Sequence, residues 1–207
     1  MKFDPQKHNR RSIRLKGYDY AQWGVYFVTL VTWQRVCLFG EIINGGMQLN
    51  PTGIIIQSEW QRLAFHFHNI RLDVFMVMPN HVHGTIVIES VRATRHPPYR
   101  IPKNNQPLPD QLSDIHDGSP RQSPRRSGPM PNSLGAMVGQ FKSRATKRIW
   151  SLPEMEHSPI RQRNYYEHIV RNDIEYKKNI QYIETNPLKW QEDQLHPPVM
   201  INPISRD

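Results

Sequence analysis

Cysteine is almost missing from this sequence. One residue of 207, Cys37, is a cysteine, which excludes an intrachain disulfide framework and a Cys-rich zinc module. Long apolar runs are missing too. No stretch approaches the roughly 20 apolar residues of a membrane-crossing helix. The opening Met-Lys-Phe-Asp-Pro-Gln-Lys has no signal-peptide core, so the expected location is cytoplasmic. Acidic residues are scarce, 18 Asp and Glu against 27 Lys and Arg, for a formal charge of +9 and a pI near 9.8. That imbalance points to a polyanionic partner, with nucleic acid the first class to consider. Hydrophobic content is 37% and mean hydropathy is -0.68, enough for one domain with a modest core.

What is present is organised around Met78-Pro79-Asn80-His81-Val82-His83-Gly84-Thr85-Ile86-Val87-Ile88. Side chains alternate along a strand, so His81, His83 and Thr85 share one face and Val82, Ile86 and Ile88 the other. Two imidazoles fixed side by side make half of a metal site. A pair of satisfied surface histidines is the bland alternative. Pro79-Asn80 breaks the chain just before the pair, as a bulge or tight turn.

Around this stretch, Val25–Trp33 reads as a strand and Gly40 and Gly45-Gly46 as breaks. Asn50-Pro51 starts a helix over 51–67 whose buried stripe is Ile56, Trp60, Leu63 and Phe67. Strands follow at 70–78 and 81–90. Residues 91–131 hold half of the 18 prolines, and this composition predicts a disordered insertion. Asn132-Ser133 caps a helix over 134–150, with Leu134, Val138, Phe141, Ala145 and Ile149 inward and Lys142, Arg144, Lys147 and Arg148 on its outer faces. An extended segment covers 160–170. Asn172 or Asp173 then starts a last helix that Pro187 ends. The expected organisation is a basic arm at 1–20, one domain over 21–190 interrupted by the insertion, and a tail at 191–207.

In the last helix Tyr176, Ile180 and Ile183 form the apolar face. Tyr182 points roughly 120° away from it, beside Lys178 one turn before and Asn186 one turn after. A tyrosine outside the buried stripe has no packing reason there, although a half-exposed surface tyrosine remains the plain alternative. Tyr165 and Tyr166 alternate faces of their segment, so one can line a site while the other packs. Candidate backbone contacts for a nucleic acid are Arg10, Arg11, Arg14, Lys16, Lys142, Arg144, Arg161 and Arg163. Trp23, Trp33 and Tyr18 are available for base stacking, although a core position is the first expectation for each.

Taken in order, Arg14-Leu15-Lys16-Gly17-Tyr18-Asp19-Tyr20, Tyr26-Phe27-Val28-Thr29, Val77 to Gly84, Gln162 to Asn172 and Tyr182-Ile183-Glu184-Thr185-Asn186-Pro187 resemble the single-tyrosine HUH transposases, and among them the REP-associated tyrosine transposases. The resemblance spans roughly 10–90 and 132–190 and leaves the insertion out. It implies a ferredoxin-like α+β fold: an antiparallel sheet with helices packed on one face. It implies that His81 and His83 are metal ligands, that Asn186 completes the metal site, and that Tyr182 is the nucleophile. Glu167 and His168 match a recurrent family stretch and would be supporting or DNA-contacting residues.

The implied activity is metal-dependent cleavage and rejoining of single-stranded DNA near hairpins through a 5′-phosphotyrosine, with no nucleotide cofactor. Lys178, placed by the wheel, would favour the phenolate or the phosphorane. Two imidazoles and an amide form a neutral, open site suited to Mg²⁺ or Mn²⁺, with Zn²⁺ also acceptable to the imidazoles. The partner is a hairpin-containing single strand. A monomer is expected, with a dimer that exchanges the tyrosine helix as the alternative. Two rival functions stand beside this one. One is a non-catalytic hairpin-binding protein derived from such an enzyme; the other is a metal-dependent hydrolase that uses His81 and His83 with an activated water.

Overall fold

The computed structural model describes residue 15 and residues 17–89, 129–162 and 164–197. The expected insertion and most of the expected basic arm, with Arg10, Arg11, Arg14 and Lys16, lie outside the described residues, as does Arg163. The strands are β1 (Gly24–Val31), β2 (Gly40–Ile43), β3 (Gly46–Leu49), β4 (Ile70–Met78), β5 (His81–Ile88) and β6 (Tyr166–Val170). The helices are α1 (Pro51–Gln61), α2 (Leu63–His66), α3 (Leu134–Trp150) and α4 (Asp173–Thr185). Four strands form one antiparallel sheet in the order β4-β5-β1-β6. With α1 between β1 and β4 and α3 between β5 and β6, this is the ferredoxin-like α+β arrangement.

Local chemistry explains the boundaries. Asn50, Ser133 and Asn172 each accept a hydrogen bond from the main-chain N–H three residues on, at the starts of α1, α3 and α4. The expected helix 51–67 is two pieces with a turn at Arg62, yet Ile56, Trp60, Leu63 and Phe67 are all buried. Pro79-Asn80 is the two-residue turn between β4 and β5, since Met78 pairs with His81. The glycines expected only to break the chain build a second sheet instead. Asn44 and Gly45, at φ 51° and 74°, make the turn of the β2–β3 hairpin, the left-handed pair that Asn-Gly favours.

The core fills one face of the main sheet. Tyr26, Val28 and Leu30 of β1 and Val82, Ile86 and Ile88 of β5 meet Ile56 and Trp60 of α1 and Leu134, Val138, Phe141 and Ile149 of α3. On this side α1 and α3 are tied by Glu59, a buried carboxylate that accepts from Arg144 Nε at 3.1 Å and Arg148 Nη1 at 2.7 Å. Gly84 is a spatial requirement here. A Cβ on it would lie 2.3 Å from Trp60 Cζ2 and 3.0 Å from Phe75 Cδ2, within a Trp60–Phe75 stack of 4.6 Å. Gly84→Ala is expected to cost about 1–3 kcal/mol, read as a lower denaturation midpoint at unchanged m-value.

The fourth helix lies elsewhere. Tyr182 of α4 touches Phe27 and His83, which point away from the core face. So α1 and α3 follow the expected one-face packing, while α4 covers the histidine face. Tyr176, expected in the core, is only partly buried and donates its hydroxyl to Asp73 of β4. Trp23 and Trp33 are also outside the core, 74% and 45% exposed. Each lies just beyond an end of β1.

Candidate metal centre and tyrosine groove

Strand alternation places His81 and His83 on the face opposite the core, and β1 and α4 enclose them. Both are buried, at 0% and 2% exposure. Their Nε2 atoms converge at 2.9 Å, because each Nδ1 is held from behind. His81 Nδ1 lies 2.7 Å from Asn80 Oδ1, and the Asn80 amide nitrogen donates to the carbonyls of Arg35 and Leu195. The Asn80 oxygen is therefore the acceptor, His81 carries its proton on Nδ1, and Nε2 is left with a lone pair. His83 Nδ1 lies 2.8 Å from Thr29 Oγ1. A hydroxyl can donate or accept, so His83 can switch tautomer when a cation replaces the contact between the two Nε2 atoms.

Electrostatics suit ligation. Burial pushes the His81 imidazole down to about 4, against the opposing pull of Asp193 and Asn186. Burial and then the neighbouring His81 hold His83 well below the ordinary range. Both rings are thus neutral at neutral pH and need shed no net charge to bind a metal.

Asp193 is the residue that sequence reasoning missed. One of its carboxylate oxygens and one nitrogen of each imidazole form a group with all three ligand atoms within 4.8 Å of one another. It sits in the expected tail, past the proline that ends α4, with no periodicity to mark it. The structure instead folds residues 191–197 back onto the site. Leu195 N–H donates to Asp193 Oδ1 at 2.6 Å, Asn80 Nδ2 donates to Leu195 O at 2.7 Å, and Arg35 donates to Gln194 O at 2.9 Å. Asn186 is 2% exposed, and its Nδ2 donates to Asp193 Oδ2 at 2.8 Å. Its Oδ1 is buried without a hydrogen bond. An orphaned amide oxygen beside two convergent imidazole nitrogens and a carboxylate is a donor set that fits a divalent cation. The expected neutral ligand set acquires a negative charge through Asp193.

Tyr182 is 46% exposed, and its hydroxyl lies 3.4 Å from His83 Nε2. Burial of its inner half, followed by the Asp193 charge, raises its pKa, and the Asn186 side chain opposes them. Lys178, Tyr182, Asn186, Lys189 and Asp193 line one open groove of about 560 Å³. The structure therefore gathers His81, His83, Asn186, Tyr182 and Lys178 in one place.

Other expected contacts lie elsewhere. His168 is on the site face, opposite Phe27, and ties β6 to α4 through Glu175 Oε1 at 2.5 Å. Glu167 pairs with Val28 and points to the core side, since neighbours on a strand face opposite ways. Lys142 is not on an outer face. It is buried, with Nζ donating to Asn164 O and 5.1 Å above the Tyr165 ring, because α3 is covered on its flank as well as along its apolar stripe. Arg144 is engaged with Glu59. Arg161 is half-buried in a β-bridge with Thr32, and burial lowers its pKa. None of these three is a freely exposed phosphate contact.

No protein-family model matches the sequence. An uncharacterized protein from Haemophilus influenzae is 37% identical over 196 residues, covering 94% of this chain and 97% of that one. Among solved structures, a REP-associated tyrosine transposase bound to a REP hairpin aligns with a TM-score of 0.50 at 15% identity, over 87% of this chain and 74% of that one. At that identity the likeness is one of fold.

Proposed function

We propose, for a chain that belongs to one family with the Haemophilus influenzae protein and shares the fold of a tyrosine transposase, that it is a metal-dependent single-stranded DNA transposase of the single-tyrosine HUH type. The observation that carries this reading is the Tyr182 hydroxyl, 3.4 Å from a nitrogen of the buried, convergent histidine pair. The proposed ligands are His81, His83, Asn186 and Asp193. A divalent cation held there would supply positive charge to a non-bridging oxygen of the scissile phosphate.

Tyr182 Oη attacks phosphorus as the bond to the 3′ oxygen breaks. The phenol proton is balanced by protonation of the departing 3′ oxygen. The products are a 5′-phosphotyrosine and a free 3′-hydroxyl, so phosphoester bonds are exchanged without a nucleotide cofactor, and a new 3′ end reverses the step. Lys178, on the groove wall beside Tyr182, offsets charge that develops at phosphorus. The proposed substrate is a hairpin-bearing single strand, with the basic arm residues Arg10, Arg11, Arg14 and Lys16, and Arg163, as phosphate contacts. The proposed unit is a monomer, a reading supported by the contact of Tyr182 with His83 of the same chain.

The test is covalent trapping of labelled hairpin oligonucleotides, with Mg²⁺ or Mn²⁺ against EDTA, on a denaturing gel. A metal-dependent adduct is the expected result. Cleavage without an adduct would make the protein a hydrolase, and binding without cleavage a hairpin-binding protein. The Asp193 carboxylate gives a second check. After burial, it is the charge that raises the Tyr182 pKa, and a bound cation would offset it. Asp193→Asn is expected to weaken Mn²⁺ binding roughly tenfold or more, measured by calorimetry on the folded protein. Unchanged Mn²⁺ affinity would remove Asp193 from the ligand set.

A further inference from the structure

The aromatic surface on the histidine face continues past the metal ligands. Tyr166 of β6 stands opposite Thr29, the residue whose hydroxyl meets His83, so its ring shares the face of the histidine pair. Tyr165 packs against the core instead. Tyr166 is 50% exposed, and its ring lies 6.3 Å from Phe27 at 71°. Phe27 is itself stacked on His83 at 5.5 Å and lies 6.3 Å from Tyr182 at 68°. Phe27 is thus a floor, 7% exposed, with a half-exposed tyrosine ring on either side.

The helix supplies the facing wall. Glu175, Lys178, Tyr182 and Asn186 follow one another at spacings of three, four and four, so they share one side of α4. Glu175 of that side reaches His168 on β6, and Tyr182 of the same side reaches His83 on β5. Phe27 meets Tyr166 on the sheet and Tyr182 on the helix, and Lys178 lines the groove beside Tyr182. One wall offers an aromatic ring; the other offers a hydroxyl and an ammonium group.

We infer that Tyr166 forms a nucleobase subsite, stacking on the base next to the phosphate that Tyr182 attacks. The inference rests on the single-stranded DNA reading of the site and adds a substrate contact to it. A base is the occupant that fits both walls: it presents a flat apolar face to the ring and brings its anionic phosphate to Lys178. Single-strand binding sites use this pairing of stacking ring and cationic wall, and it tolerates sequence because every base has a π-face. Tyr166 is a positioning contact here. The hydroxyl within hydrogen-bonding distance of His83 Nε2 is that of Tyr182.

The test uses full-length protein carrying Tyr182→Phe, so that binding is measured without cleavage, and a hairpin oligonucleotide with single-stranded flanks. Fluorescence anisotropy is expected to give a Kd about tenfold or more higher for added Tyr166→Ala. Added Tyr166→Phe, which keeps the ring, is expected to stay within about twofold. Oligonucleotides with one abasic site stepped along the flank locate the base. At one position the missing base weakens the parent and leaves Tyr166→Ala unaffected, the signature of a shared contact. Equal affinity of the parent and Tyr166→Ala for a strand the parent binds overturns the subsite alone. A loss in Tyr166→Phe equal to that in Tyr166→Ala also overturns it, by moving the role to the hydroxyl. Failure of the parent to bind any single strand overturns the DNA reading and the subsite with it.

Discussion

Tyr182→Phe is expected to abolish the covalent adduct and to lower strand cleavage on the order of a thousandfold or more, the scale seen when a nucleophile is deleted. The substitution removes one oxygen and keeps the ring. The contacts of that ring with His83, at 5.1 Å, and Phe27, at 6.3 Å, survive, so folding and metal binding should be those of the parent. With 46% of the residue exposed, the lost hydroxyl leaves no buried polar group unpaired except through its 3.4 Å contact with His83 Nε2. Oligonucleotide affinity should therefore hold while chemistry disappears, a split that general destabilisation would not produce. The raised pKa of the phenol means that attack depends on charge supplied from outside the side chain, so EDTA on the parent should mimic the variant. An adduct that persists in Tyr182→Phe would place the nucleophile on another tyrosine, with Tyr166 the first to examine because it shares the face.

Much of this arrangement is legible in the sequence, for identifiable reasons. The α3 boundaries follow from a capping Ser133 and an apolar stripe at helical spacing. The β4–β5 hairpin follows from alternation interrupted by Pro79-Asn80. Tyr182 stands out because it leaves the stripe of its own helix. What the sequence does not carry is tertiary. Periodicity says that α4 has an apolar side, but not which sheet face receives it, and the site depends on that choice. Lys142 reads as solvated on α3 considered alone, and it becomes buried only when Tyr165 and Asn164 close over it. Trp23 and Trp33 read as core from composition, and their exposure follows from lying beyond the ends of β1. The Asn44-Gly45 turn was a local signal that flanking glycines obscured. Asp193 had none, because its position is set by hydrogen bonds from residues far away in sequence.

Asn80 is where local and distant structure meet, and its replacement should have the largest effect on stability at the site. Its side chain is fully buried and fully used. Nδ2 donates to Arg35 O at 3.0 Å and to Leu195 O at 2.7 Å, while Oδ1 receives His81 Nδ1–H at 2.7 Å. One amide therefore fixes the tautomer of a proposed ligand and fastens the segment that carries Asp193. Asn80→Ala deletes three hydrogen bonds, each worth about 1 kcal/mol net. It strands two carbonyls and an imidazole N–H, and water that enters the vacated polar space recovers part of that loss. The expected cost is about 2–4 kcal/mol, a melting temperature lower by about 4–16 °C for a protein of this size. Mn²⁺ affinity should fall about 10- to 100-fold as His81 loses its fixed tautomer and orientation. Asn80→Asp separates the two roles. It keeps an acceptor for His81 Nδ1–H but sets a carboxylate oxygen against the Arg35 and Leu195 carbonyls. Stability should therefore fall at least as far as in the alanine variant while metal affinity falls less. If Asn80→Ala melts with the parent and binds Mn²⁺ as the parent does, His81 is oriented by its strand alone, and the hydrogen bond behind it has no part in building the site.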